Sequence, residues 1–166
     1  MLLKALQEKW YTYIAFTISF FSIFIIWVNH HKIFKQIYAR NTAVMFANGL
    51  ILFLASIVSF TTAILSRYYD TEAVYAATAI YTGLFVLINL SFNLLWWLAS
   101  KEKKLLRPNI TISAIRSISK NYMYGLPVHV IAFLCAFVYP LAALIICVSL
   151  WIFWAFTSGK VNLSKQ

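Results

Sequence analysis

His30 and His31 stand side by side in the stretch FFSIFIIWVNHHKIFKQI, residues 20–37, where an apolar aromatic run turns basic. Adjacent imidazoles there could bind a metal, relay protons or anchor a helix at a membrane surface. Consecutive helical side chains point about 100° apart, so the pair does not readily share one metal. No Cys, Asp or Glu stands three or four residues away to complete a ligand set. A proton relay calls for an acid inside an apolar segment, yet Glu8, Asp70, Glu72 and Glu102, the only carboxylates, all lie between the apolar runs. The same distribution removes paired-carboxylate hydrolysis and the His-Glu-x-x-His pattern, and no glycine-rich phosphate loop occurs. An enzyme is therefore not expected, and neither a cofactor nor a metal is implied.

The remaining polar residues favour helix packing. In the anchor reading, Trp27 sits at headgroup depth while the histidines and Lys32 reach outward. Trp27, His30 and Phe34 also follow i, i+3, i+7 spacing, and Asn48 lies near the start of the next apolar run, so a polar cluster between helices competes with the anchor. Asn89, Asn93 and His129 fall within apolar windows and are read as interhelical hydrogen-bond partners. Cys135 and Cys147 lack metal-ligand spacing and read as small buried hydrophobes.

The elements that must position these residues are set by composition. With 63% hydrophobic, 18% aromatic and only 11% charged residues, the chain lies outside the range of soluble domains and reads as an all-α integral membrane protein. Its formal charge of +10 is confined to segments between uncharged runs, which argues for membrane topology and against nucleic acid. A bilayer core of roughly 30 Å needs about 20 helical residues. Windows 11–28, 42–65 and 73–98 each fit one crossing. Residues 121–159 carry no formal charge over 39 positions, about 58 Å as a single helix, so they must cross twice. Tyr139-Pro140 marks the break, giving spans 122–138 and 141–157. The expectation is one membrane domain, residues 1–166, with five transmembrane helices. Residues 101–120 form a basic cytoplasmic linker, holding a short interfacial helix that begins near Pro108 and presents Ile110, Ala114, Ile115 and Ile118 to the membrane, with Arg116 and Lys120 toward headgroups.

Eleven of the 14 basic residues fall on one side of this arrangement, leaving Lys4, Lys9 and Arg67 on the other. The positive-inside rule makes the richer side cytoplasmic, with the N-terminus outside and the C-terminus in. The first run has no small-residue cleavage site and is expected to remain in the mature chain. Asn109 and Asn162, each in a glycosylation pattern, then face the cytoplasm and are expected to be unmodified.

The segments WVNHHKIFKQI, FANGLILFLASIVSFTTAILSRY, AVYAATAIYTGLFVLINLSFNLLWWLAS and YPLAALIICVSL resemble the transmembrane protein 175 type of potassium channels, known from endolysosomes and prokaryotes. The Trp-x-Asn-His-His element followed 18 residues beyond His30 by Asn48 is the specific part of that likeness. The resemblance implies a potassium channel subunit, a homotetramer in a prokaryotic plasma membrane, with potassium ions and the lipid bilayer as partners. It further implies that Trp27, His30 and Asn48, with Asn29 of the same element, form the polar cluster supporting the family's pore helix. That helix carries an Arg-x-x-x-Phe-Ser-Asp signature absent from this sequence. The five spans thus resemble family helices two to six, and the first helix is expected to be encoded upstream or contributed by another chain. VSFTTAIL, residues 58–65, also lacks the two prolines of the corresponding family stretch. The competing reading is a non-conducting scaffold or accessory subunit that associates with full-length channel subunits. A solute transporter is disfavoured because no inverted repeat is visible.

Overall fold

Asn41 shows how the sequence starts its helices. Its side-chain oxygen accepts from the Val44 amide at 2.9 Å, satisfying one of the orphan donors at a helix start. In the computed structural model, which describes residues 10–157, five α-helices follow one another: α1 (Trp10–Phe34), α2 (Thr42–Tyr68), α3 (Val74–Lys101), α4 (Ile112–Cys135) and α5 (Pro140–Thr157). A 3-10 turn, Lys103–Leu105, precedes α4. Thr111 caps α4 through the Ala114 amide, and Pro140 opens α5 at the position where a missing N–H leaves nothing unpaired.

Helix α3 occupies the centre and packs against α2, α4 and α5, while α1 packs on α2 and α5. Apolar residues at helical spacing build the core: Val44, Ala47, Ile51, Leu54 and Val58 on α2 meet Tyr81, Phe85, Ile88, Phe92 and Leu95 on α3. Polar residues survive inside by bonding their own helix. Ser22, Thr62 and Thr82 each donate to the carbonyl four residues earlier.

Outside, the bundle is apolar. Phe16 and Phe20 on α1, Phe46, Phe53 and Phe60 on α2, and Leu141, Ile145 and Ile152 on α5 are exposed. Continuous apolar surface on this scale requires a lipid solvent or another protein surface. By length and composition α2 and α3 are each long and apolar enough to cross a membrane. The molecule is an all-α membrane bundle.

One expectation changes. The linker does not hold a separate interfacial helix, because α4 starts at Ile112 and runs unbroken to Cys135. No helix breaker separates the basic turns from the apolar ones, so a single capped helix forms. The side expected to face the membrane turns inward instead, with Ile118 buried in the core and Ile115 half-buried, while Arg116 and Lys120 are exposed. Pro108 instead lies in a turn closed by the Ile110 amide on Arg107 oxygen at 3.1 Å.

Two loops are tied together at one end. The Tyr38 amide donates to Leu105 oxygen at 2.8 Å and the Arg107 amide to Gln36 oxygen at 3.0 Å, around an antiparallel bridge between Ile37 and Leu106. Asn41, besides capping α2, donates to Glu102 at 3.2 Å, and Glu102 pairs with Lys104 at 3.1 Å. The segments carrying Lys35, Arg40, Lys103, Lys104 and Arg107 therefore share one end of the bundle.

Candidate functional site

Helices α1 and α2 run antiparallel from the basic loop, so the last turns of α1 lie beside the first turns of α2. His30 meets Asn48 there, with Nε2 and Oδ1 2.5 Å apart and both side chains half-buried. Since a carboxamide oxygen accepts, the imidazole donates from Nε2. The His30 ring also packs on Phe34 at 4.5 Å between centroids, and the Arg40 guanidinium lies 5.7 Å from the Phe34 ring. A hydrogen bond across helices and one ring contact thus hold the imidazole.

Trp27 belongs to a different face. It is 57% exposed and stacks on Phe24 at 6.2 Å and His31 at 5.6 Å. Phe24 in turn stacks on Phe20 at 6.3 Å, making an exposed aromatic ladder along α1. The i, i+4 step brings Trp27 to His31 and His30 to Phe34, because four residues advance about 40° beyond one helical turn and three fall about 60° short. The two histidines consequently have different neighbours. Asn29 points a third way and lines a cavity between α1, α3, α4 and α5.

The polar residues of α3 and α4 form a second seam. Asn93 donates across to Tyr122 oxygen at 3.1 Å and also to Asn89 on its own helix, at Oδ1 2.8 Å away. One turn along, the Trp96 indole donates to the Ser119 hydroxyl at 2.9 Å. His129 departs from the expectation of an interhelical partner, for its Nδ1 bonds Gly125 oxygen of its own helix at 2.8 Å. A side chain four residues from a carbonyl on the same helix reaches it without needing a neighbour. Ser119 and Gly125 were not singled out from sequence. The signal for Gly125 was a lone glycine in an apolar helix: a Cβ there would lie 2.7 Å from Asn89 Nδ2 and 2.8 Å from Trp154.

The comparisons with known proteins agree with this architecture. Residues 1–59 match the family model described as endosomal/lysosomal potassium channel TMEM175. Over 158 residues the chain is 34% identical to a potassium channel of Chamaesiphon minutus, covering 95% of this chain and 78% of that one. It is 34% identical over 122 residues to a potassium channel of Streptomyces collinus, covering 73% of this chain and 59% of the relative. The crystal structure of a lysosomal potassium-selective channel TMEM175 homolog from Chamaesiphon minutus matches with a TM-score of 0.79 and 32% identity, over 95% of this chain and 79% of that chain. The two Chamaesiphon minutus matches show similarity of sequence and of fold along nearly the whole chain, not a local motif, and on that ground the chain belongs to the TMEM175 family of potassium channels.

Proposed function

We propose that this chain is a potassium channel subunit, working as a homotetramer in a prokaryotic plasma membrane, in which His30 and Asn48 support a pore-lining helix. The carrying observation is the match to potassium channels over 95% of the chain in both sequence and fold. Packing supports a pore between subunits. Among the described residues the centre of the unit is occupied by α3, whose Ala77, Tyr81, Phe85, Phe92 and Leu95 are buried, which favours an ion path outside it. The exposed ladder of Phe20, Phe24, Trp27 and His31 offers an adjacent helix aromatic surface on the side of α1 next to His30. Trp27 and the His30–Asn48 pair would then touch such a helix from neighbouring faces, while Asn29 faces the bundle interior.

In this reading the basic loops face the cytoplasm, attracted by the anionic inner leaflet and retained by the positive-inside rule. That orientation places the N-terminus outside and the C-terminus inside. The test is cation flux from the purified chain in liposomes under a potassium gradient. Potassium-selective flux supports the channel. No flux, either from the chain alone or with a family pore helix fused to its N-terminus, would favour the scaffold reading.

A further inference from the structure

The clasp between the two loops gathers charge as well as backbone. Besides the Arg107 bond to Gln36, Leu105 oxygen takes the amides of both Tyr38 and Ala39, at 2.8 and 3.1 Å. The bridged pair Ile37 and Leu106 is buried in the core, and so is Leu105, which pins the clasp to the helices beneath it. Antiparallel pairing sets opposed residues about 5 Å apart. Lys35 and Arg107 therefore stand at one end of the bridge, and Arg40, Lys103 and Lys104 at the other. All five are exposed.

A single carboxylate answers them. Glu102 is already shared by Lys104 at 3.1 Å and Asn41 at 3.2 Å. Among the described residues, Lys35, Arg40, Lys103 and Arg107 have no carboxylate partner. Like charges on backbones that cannot separate repel one another, and an anion with several acceptor oxygens relieves that repulsion while taking charge-assisted hydrogen bonds.

The surroundings decide which anion fits. Tyr38, within the clasp, is 74% exposed, and Trp97, one turn before the end of α3, is exposed with the Lys101 ammonium 5.3 Å from its ring centre. Exposed Tyr and Trp beside lysine are characteristic of the headgroup layer of a bilayer. On α2 the apolar exterior begins at once, with Met45 and Phe46 exposed a turn beyond the Asn41 cap and Phe53 further along. Cations and lipid-facing apolar surface thus adjoin, which suits a molecule with a phosphate at one end and hydrocarbon at the other.

We propose that the clasped loops form a binding site for the headgroup of an anionic phospholipid, whose phosphate is held by Arg40 and Arg107 with Lys35 and Lys103, and whose acyl chains lie along α2. Bound there, the lipid bridges the α1–α2 loop and the α3–α4 linker and reinforces the clasp that sets the end of α1, a turn from His30. The site depends on the chain lying in a bilayer, and not on conduction, on tetramer formation or on which side of the membrane the loops face.

The test is titration of the purified full chain in neutral detergent with phosphatidylglycerol, phosphatidylcholine or inorganic phosphate. Bound lipid is read by native mass spectrometry and stabilisation by thermal unfolding. Phosphatidylglycerol is expected to bind and to raise the unfolding temperature, whereas the other two at equal concentration do neither. Arg40→Gln with Arg107→Gln should weaken phosphatidylglycerol binding about tenfold or more, the size expected for two interfacial cations. Should that pair fail to fold, either single substitution takes its place, with about a fivefold loss expected. Arg40→Lys with Arg107→Lys keeps the charge and should retain most of the binding. Arg116→Gln with Lys120→Gln removes the same charge from the exposed side of α4, outside the clasp, and should change the affinity by less than about twofold. Equal binding of the two lipids, or equal losses in the two glutamine pairs, would overturn the proposal. So would stabilisation by inorganic phosphate matching that by phosphatidylglycerol, which would assign the clasp to a soluble anion.

Discussion

At the scale of single residues, the meaning of the paired histidines rests on a difference of one position. His30 donates to Asn48 across helices, while His31 lies on an exposed ladder with Trp27. Interhelical hydrogen bonds in membrane proteins contribute about 0.6 kcal/mol on average and up to about 1.7. A double-mutant cycle of His30→Ala and Asn48→Ala is expected to give a coupling energy in that range, read from detergent or thermal unfolding. The same cycle with His31→Ala and Asn48→Ala should give about zero, since the residues do not interact. Equal coupling in both cycles would remove the special role of His30 and return the stretch to a membrane anchor. Fusing a family pore helix to the N-terminus should then enlarge the His30 effect and leave that of His31 unchanged.

At the scale of elements, two small residues decide how helices meet. Asn41 both caps α2 and reaches Glu102 beside the α3 end, so it links a helix start to a loop clasp. Asn41→Ala should destabilise the bundle by about 1 kcal/mol from the cap alone. Asn41→Asp keeps the cap but sets a carboxylate against Glu102, so its loss should grow as ionic strength falls. A salt-independent loss in Asn41→Asp would mean that the Glu102 contact contributes nothing in solution. Gly125 governs the approach of α4 to α3 and α5. In Gly125→Ala the added methyl meets Asn89 and Trp154 at distances the packing cannot accommodate without a shift, which predicts a loss of about 1–3 kcal/mol. Unfolding measurements that find this variant as stable as the parent would show that the three helices separate readily at that point.

The whole molecule is a bundle with a filled centre and an apolar exterior, and that combination sets the remaining predictions. Single cysteines at Glu72, in the turn between α2 and α3, and at Lys104, in the basic linker, should label from opposite sides in a background carrying Cys135→Ser and Cys147→Ser. Membrane-impermeant reagent added outside cells is expected to reach position 72 and not position 104, in keeping with the charge asymmetry. Labelling of both from one side would be incompatible with α3 crossing the membrane. In the channel reading we propose, the buried core around α3 places conduction between subunits, and the purified assembly is expected to have the mass of a tetramer. A monomer that conducts potassium would contradict the packing argument.

Sequence alone determined the solvent and the class of this protein, since burial of the backbone in lipid demands helices and the lengths of uncharged windows limit how many there are. The break at Pro140 is likewise a local signal, readable because a missing N–H acts within one turn. The Trp-x-Asn-His-His element pointed to the family, and the similarity of sequence and fold over nearly the whole chain places it there. What only the tertiary structure decided is which face each polar residue uses. Spacing allowed Trp27 to join His30, but rotation along α1 put it with His31; it allowed His129 to reach another helix, but the nearer partner was its own Gly125 carbonyl. The cavity and the close approach at Gly125 were equally invisible in one dimension, because both are made by side chains from three or more helices. Periodicity fixes directions within a helix, whereas the relative rotation and spacing of helices emerge only when their surfaces interlock.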